Sequence, residues 1–60
     1  MEDTVEFCCP ACLQHSVVTV DLSAGRTRFV EDCQNCCEPI EFEVETREGE
    51  VTRFDYRLGN

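Results

Sequence analysis

Two C-x-x-C pairs constrain this chain more than anything else in it. Cys9-Pro10-Ala11-Cys12 and Cys33-Gln34-Asn35-Cys36 are separated by twenty residues, the C-x2-C…C-x2-C arrangement of a four-cysteine metal site. Each pair forms a tight turn that aims two sulfurs at one centre, and two such turns complete a tetrahedron. Zn²⁺ suits it, because thiolates are soft ligands and a d¹⁰ ion imposes no geometry of its own. The expected ligands are Cys9, Cys12, Cys33 and Cys36, with one Zn²⁺ per chain and iron as the alternative. Four thiolates close the coordination sphere and leave no position for water, so the metal is expected to be structural rather than catalytic.

Length makes the metal necessary. Sixty residues allow one domain, expected to run over 1–60. A core of that size contributes roughly 3–5 kcal/mol of net stability, whereas a structural zinc contributes about 10–16 kcal/mol of apparent binding energy that doubles as folding energy. Six cysteines would suggest disulfides in a secreted chain. The N-terminus, Met1-Glu2-Asp3-Thr4-Val5-Glu6, is acidic and lacks the apolar stretch of a signal peptide, and no apolar run is long enough to span a bilayer. The expectation is a reducing cytoplasm, where paired C-x-x-C motifs hold metal.

The remaining pattern is all β. Val5 and Phe7 alternate with Thr4, Glu6 and Cys8 ahead of the first knuckle. The β-branched run His15–Asp21 leaves it, Ser23-Ala24-Gly25-Arg26 turns, and Thr27–Glu31 returns to Cys33. This reads as a hairpin arm linking the knuckles, the plan of a small zinc ribbon with antiparallel hairpins. No internal repeat is visible beyond the two knuckles. Further on, Ile40, Phe42 and Val44 face a core while Glu41, Glu43 and Glu45 face water. The return strand Val51–Leu58 carries Phe54, Tyr56 and Leu58 on one face. A two-residue Glu48-Gly49 loop would set apolar residues against charged ones. An odd loop, Arg47-Glu48-Gly49 with Gly49 left-handed, places Ile40, Phe42 and Val44 opposite the even positions Thr52, Phe54 and Tyr56.

Cys9-Pro10-x-Cys12 followed by Glu31-Asp32-Cys33-x-x-Cys36-Cys37-x-Pro39-Ile40 resembles the CPXCG motif-containing cysteine-rich proteins, small bacterial proteins without an assigned activity. The resemblance implies a zinc-ribbon type fold and leaves function open. The family motif has Gly after the second cysteine where this chain has Leu13, so Leu13 either avoids positive φ or stores strain. Cys8 departs from the pattern as well.

Other residues are weighed against plain readings. Cys8 and Cys37 permit the shifted frames Cys8-x3-Cys12 and Cys33-x3-Cys37, but their plain reading is as small buried apolar residues. His15, the one histidine, is read as a strand residue near the site rather than a ligand. The aromatic residues are needed for the core of so short a chain. No catalytic constellation or phosphate loop is present, so the chain reads as a non-enzyme.

Charge narrows the partners. The formal net charge is −8, with five Arg and no Lys, and a Zn(Cys)₄ site adds more negative charge. Phosphate backbones are repelled at long range, which disfavours nucleic-acid binding. The leading expectation is a structural zinc module acting as a protein-interaction or adaptor domain. Its partner would carry a basic patch facing a negative ridge of Glu41, Glu43 and Glu45, which Arg53 and Arg57 offset only in part. A rubredoxin-like Fe(Cys)₄ electron carrier is the alternative. It is disfavoured because Leu13 and Cys37 stand where rubredoxin knuckles have Gly, at the cost of N–H···S bonds that tune iron. Oligomeric state is not legible.

Overall fold

The computed structural model describes residues 1–59. Five strands, β1 (Glu2–Cys8), β2 (His15–Asp21), β3 (Arg26–Asp32), β4 (Pro39–Arg47) and β5 (Glu50–Leu58), form two antiparallel sheets ordered β1-β2 and β3-β4-β5. No helix among the described residues is long and apolar enough to cross a membrane.

The expected hairpin arm between the knuckles does not form. β2 pairs with β1, and β3 pairs with β4. The reason lies in the knuckles, each of which is itself a hairpin turn. In the first, the Cys9 N–H donates to the Gln14 carbonyl at 3.0 Å and the Leu13 N–H to the Cys9 carbonyl at 2.9 Å, which brings Cys8 opposite His15. The second repeats this with Cys33, Glu38 and Cys37 at 2.9 and 2.8 Å. The Leu22–Gly25 segment, by contrast, carries the chain from one sheet to the other. Asp21 accepts hydrogen bonds there from the Ser23 N–H and hydroxyl at 2.9 and 2.7 Å, and Gly25 takes φ 78°.

The chain therefore contains a repeat that its sequence conceals. Glu2 pairs with Asp21 as Arg26 pairs with Glu45, and Cys8 with His15 as Asp32 with Pro39, each twenty-four residues on. Strand, knuckle and strand recur in one register. Across the twenty aligned positions only Cys9/Cys33, Cys12/Cys36 and Val20/Val44 are identical. The inward alternation recurs where Val5, Val18 and Val20 are answered by Phe29, Phe42 and Val44, but not where buried Phe7 and half-buried Ser16 are answered by exposed Glu31 and buried Ile40.

The inner faces of the two sheets meet around Phe42. Its ring stacks on Phe29 at 5.2 Å between centroids, meets Phe7 edge-on at 5.1 Å, and lies near Phe54 and Tyr56. Ile40, Phe42 and Val44 are each 1% exposed, so β4 is the centre of the core. β5 presents the expected face to β4, but by another device. The loop has two residues, with Glu48 and Gly49 both at positive φ (54° and 78°), the pattern of a type I′ turn. A register shift at Glu45/Thr46 then restores the faces. Ile40, Phe42 and Val44 oppose Leu58, Tyr56 and Phe54, and Thr52 is left out of the pairing. Phe42→Ala is expected to cost the metal-loaded chain about 3–5 kcal/mol. Leu58→Ala, at a half-open position, should cost under about 1 kcal/mol. Denaturant midpoints of the two variants measure the contrast.

Candidate metal centre

The knuckles hang from strand ends β1, β2, β3 and β4, and the hairpin register turns them toward each other. Cys9 and Cys33 are buried, while Cys12 and Cys36 are partly exposed. The Sγ atoms of Cys9, Cys12, Cys33 and Cys36 all lie within 4.8 Å of one another. Cys9 Sγ is 3.8 Å from Cys36 Sγ, and Cys12 Sγ is 3.8 Å from Cys33 Sγ. A regular tetrahedron with metal–sulfur bonds of about 2.3 Å has edges of about 3.8 Å, so the donor set fits a tetrahedral thiophilic ion. The two short edges also exchange when one hairpin is exchanged for the other, as a local twofold relation requires.

Backbone and side-chain donors surround the sulfurs. The Asn35 N–H points at Cys33 Sγ at 3.4 Å. Hydrogen bonds from the Cys36 and Asn35 backbone lower the Cys33 thiol to about 6. The Asn35 side-chain amide, then the Gln14 N–H, lower Cys12. At Cys36 the Glu38 N–H favours the thiolate, but burial and the sulfurs of Cys33, Cys9 and Cys12 outweigh it and push the thiol up to about 12. Thiolate is favoured at Cys33 and Cys12, and opposed at Cys36 by burial and the neighbouring sulfurs. A divalent cation removes that conflict, which is why thiolate clusters of this kind are metal sites.

Leu13 and Cys37, which follow the second cysteine of each pair, both take φ 63°. Neither avoids the glycine conformation. The turn geometry is kept, and the Gln14 and Glu38 amides reach sulfur. The absence of Gly therefore does not remove the N–H···S bonds, contrary to the expectation drawn against iron. The side chains are turned outward instead, leaving Leu13 73% exposed.

Other candidates fall outside the cluster. Cys8 and Cys37 are exposed, not buried as expected, because Cys8 lies on the outer side of β1 and Cys37 at the turn position equivalent to Leu13. His15 Nε2 lies 2.9 Å from Glu6 Oε1 on the outer face of the first hairpin. Asn35, a donor to two of the sulfurs, escaped sequence reading. Its position between two ligands was the one available signal.

The glutamate ridge is not bare. Arg28 donates to Glu43 Oε2 from Nη2 at 2.8 Å and Nε at 3.2 Å, Arg57 bonds Glu41, and Arg53 bonds Asp55 at 2.6 Å. Arg28 holds the Glu43 carboxyl below its usual range. With Arg26 3.9 Å from Glu43 and Glu45 set opposite Arg26 and Arg53, four arginines and four carboxylates balance across the outer face of β3-β4-β5. Sequence reading missed Arg26 and Arg28, which the β3–β4 register sets beside the ridge. The formal −8 is carried by the nine remaining carboxylates against Arg47.

The family model for the bacterial zinc ribbon domain matches residues 7–53. The chain belongs to the bacterial zinc ribbon domain family. That match covers both knuckles, all of β2, β3 and β4, the end of β1 and the start of β5. No curated protein and no solved structure matches the chain. In this zinc ribbon, replacing Leu13 or Cys37 with Gly relieves a left-handed conformation costing about 1–2 kcal/mol. The unfolded chain gives back about 0.5–1 kcal/mol in entropy, so each variant should be as stable as the parent or up to about 1.5 kcal/mol more stable. Leu13→Val should be less stable than the parent, by thermal melting of the metal-loaded forms.

Proposed function

We propose that this zinc ribbon is a structural Zn²⁺ module that docks on another protein, and that it is not an enzyme. The carrying observation is the closed set of four sulfurs, all within 4.8 Å. When bound, the ion supplies charge neutralisation and cross-linking. Cys9 and Cys12 hold the first hairpin to it, Cys33 and Cys36 the second. With all four positions taken by thiolate, no site remains for a metal-bound water. The run Glu31-Asp32-Cys33-x-x-Cys36-Cys37-x-Pro39-Ile40 supports placing the chain among the CPXCG motif-containing proteins. Free thiols at Cys8 and Cys37 accord with a reducing, cytoplasmic setting.

A docking role is supported by the charge distribution. The outer face of β3-β4-β5 is balanced, while the acids of the first hairpin and of the β3 end near the knuckle have few cationic neighbours. A basic protein surface is therefore the favoured partner, and nucleic acid is disfavoured.

An Fe(Cys)₄ electron carrier is the second reading. It is favoured by the amide donors to sulfur at both knuckles, and metal–sulfur lengths do not separate the two ions. Protein produced with both metals available should contain one zinc per chain and be colourless. Stoichiometric iron with visible ferric-thiolate absorption would overturn the structural-zinc reading. Serine replacement of Cys9, Cys12, Cys33 or Cys36 should abolish metal retention, while Cys8→Ser and Cys37→Ser should keep it, as read by metal content after desalting.

A further inference from the structure

The second hairpin has a third strand and the first has none. β5 pairs along β4, and its Phe54 and Tyr56 lie 6.5 and 5.2 Å from Phe7 of β1, between ring centroids. β5 therefore closes the flank between β4 and β1. Exchanging the two equivalent hairpins turns β4 into β2 and β1 into β3. The counterpart of β5 would lie along β2, beside β3.

That flank is open. Two cavities of about 310 and 210 Å³ run along it, each lined by residues of both β2 and β3. β2 pairs only with β1 and β3 only with β4 among the described residues, so both present backbone groups that no strand satisfies. The floor is apolar, formed by Val18, Val20, Phe29, Ile40, Phe42 and Val44. Every charged residue lining the cavities is an acid: Glu2, Asp21, Glu31 and Asp32. On the filled flank β5 sends Phe54 and Tyr56 inward and sets Arg53 and Arg57 opposite Glu45 and Glu41.

We propose that the β2/β3 flank receives an extended segment of a partner protein as an added strand antiparallel to β2. Apolar side chains would alternate inward and lysine or arginine would face the rim. This rests on the reading of the chain as a protein-docking module, and it names the surface and the chemistry of the partner. Main-chain hydrogen bonds to an exposed edge supply affinity, and the alternating side chains supply selectivity. An acidic rim disfavours a second copy of this acidic chain as the occupant.

The test uses the full metal-loaded chain, ¹⁵N-labelled, titrated with three eight-residue peptides. One alternates valine with lysine. One is the same peptide N-methylated along the edge that would face β2. One alternates valine with glutamate. The first should give saturable shifts centred on amides 16–21 and 27–32, weakening about tenfold as salt rises from low to several hundred millimolar. The other two should bind at least about tenfold more weakly. Glu2→Gln combined with Glu31→Gln should weaken the first peptide severalfold while leaving metal content unchanged. Absence of saturable shifts in the millimolar range, equal binding of the N-methylated peptide, or shifts confined to the knuckles would overturn the slot. So would concentration-dependent self-association that covers the same amides. The wider docking reading is separately decided by metal identity and by where a native partner binds.

Discussion

Mutual repulsion of four sulfurs is the interaction on which this structure depends. Four thiols brought within 4.8 Å compete for ionisation: backbone N–H donors lower Cys33, while burial and the neighbouring sulfurs push Cys36 up. A bound divalent ion would relieve that competition by neutralising the sulfurs. The two sheets contribute opposite pairs of ligands, so the same ion that neutralises the sulfurs also joins the hairpins. The aromatic contacts around Phe42 then determine how the joined sheets face each other. Neither contribution suffices alone in a chain this short.

The local twofold relation explains features that otherwise look unrelated. Equal sulfur separations, equal φ values at Leu13 and Cys37, and matched knuckle hydrogen bonds all follow from one strand-knuckle-strand unit used twice. The units then diverge on their outer faces. Glu2 and Glu6 of the first become Arg26 and Val30 in the second. The first hairpin has no arginine, whereas the second sets arginines against the glutamates on its outer face. β5 completes only the second unit, and this asymmetry separates a finished flank from an open one.

Much of this was legible in the sequence, and the physical reasons for success and failure are specific. Alternation, β-branched content and turn residues located all five strands, most sharply in β4, where Ile40, Phe42 and Val44 can be buried only if Glu41, Glu43 and Glu45 are not. Cysteine spacing selected the group of four that the fold brings together. Pairing was harder. Nothing local says that the turn at Cys9–Gln14 closes a hairpin while Ser23–Gly25 does not, since the deciding bonds are backbone bonds inside the knuckle. The repeat was invisible because only part of the inward pattern recurs, and only three of twenty residues are identical. The Glu48-Gly49 loop was misread because a bulge can change parity as readily as loop length can. The ridge looked offset only in part, by Arg53 and Arg57, because Arg26 and Arg28 come to it from β3, a neighbour that depends on the unforeseen β3–β4 pairing.

The central claim is that one ion holds two equivalent hairpins in a single cooperative unit. Stepwise chelation of the metal-loaded chain, followed by two-dimensional NMR, tests it most directly. Dispersed amide signals of β1-β2 and of β3-β4-β5 should disappear together, in proportion to the metal removed, leaving the spectrum of an unfolded chain. Persistence of a dispersed β3-β4-β5 sheet after complete removal of the metal would contradict the account, because the aromatic core would then fold without the tetrahedron.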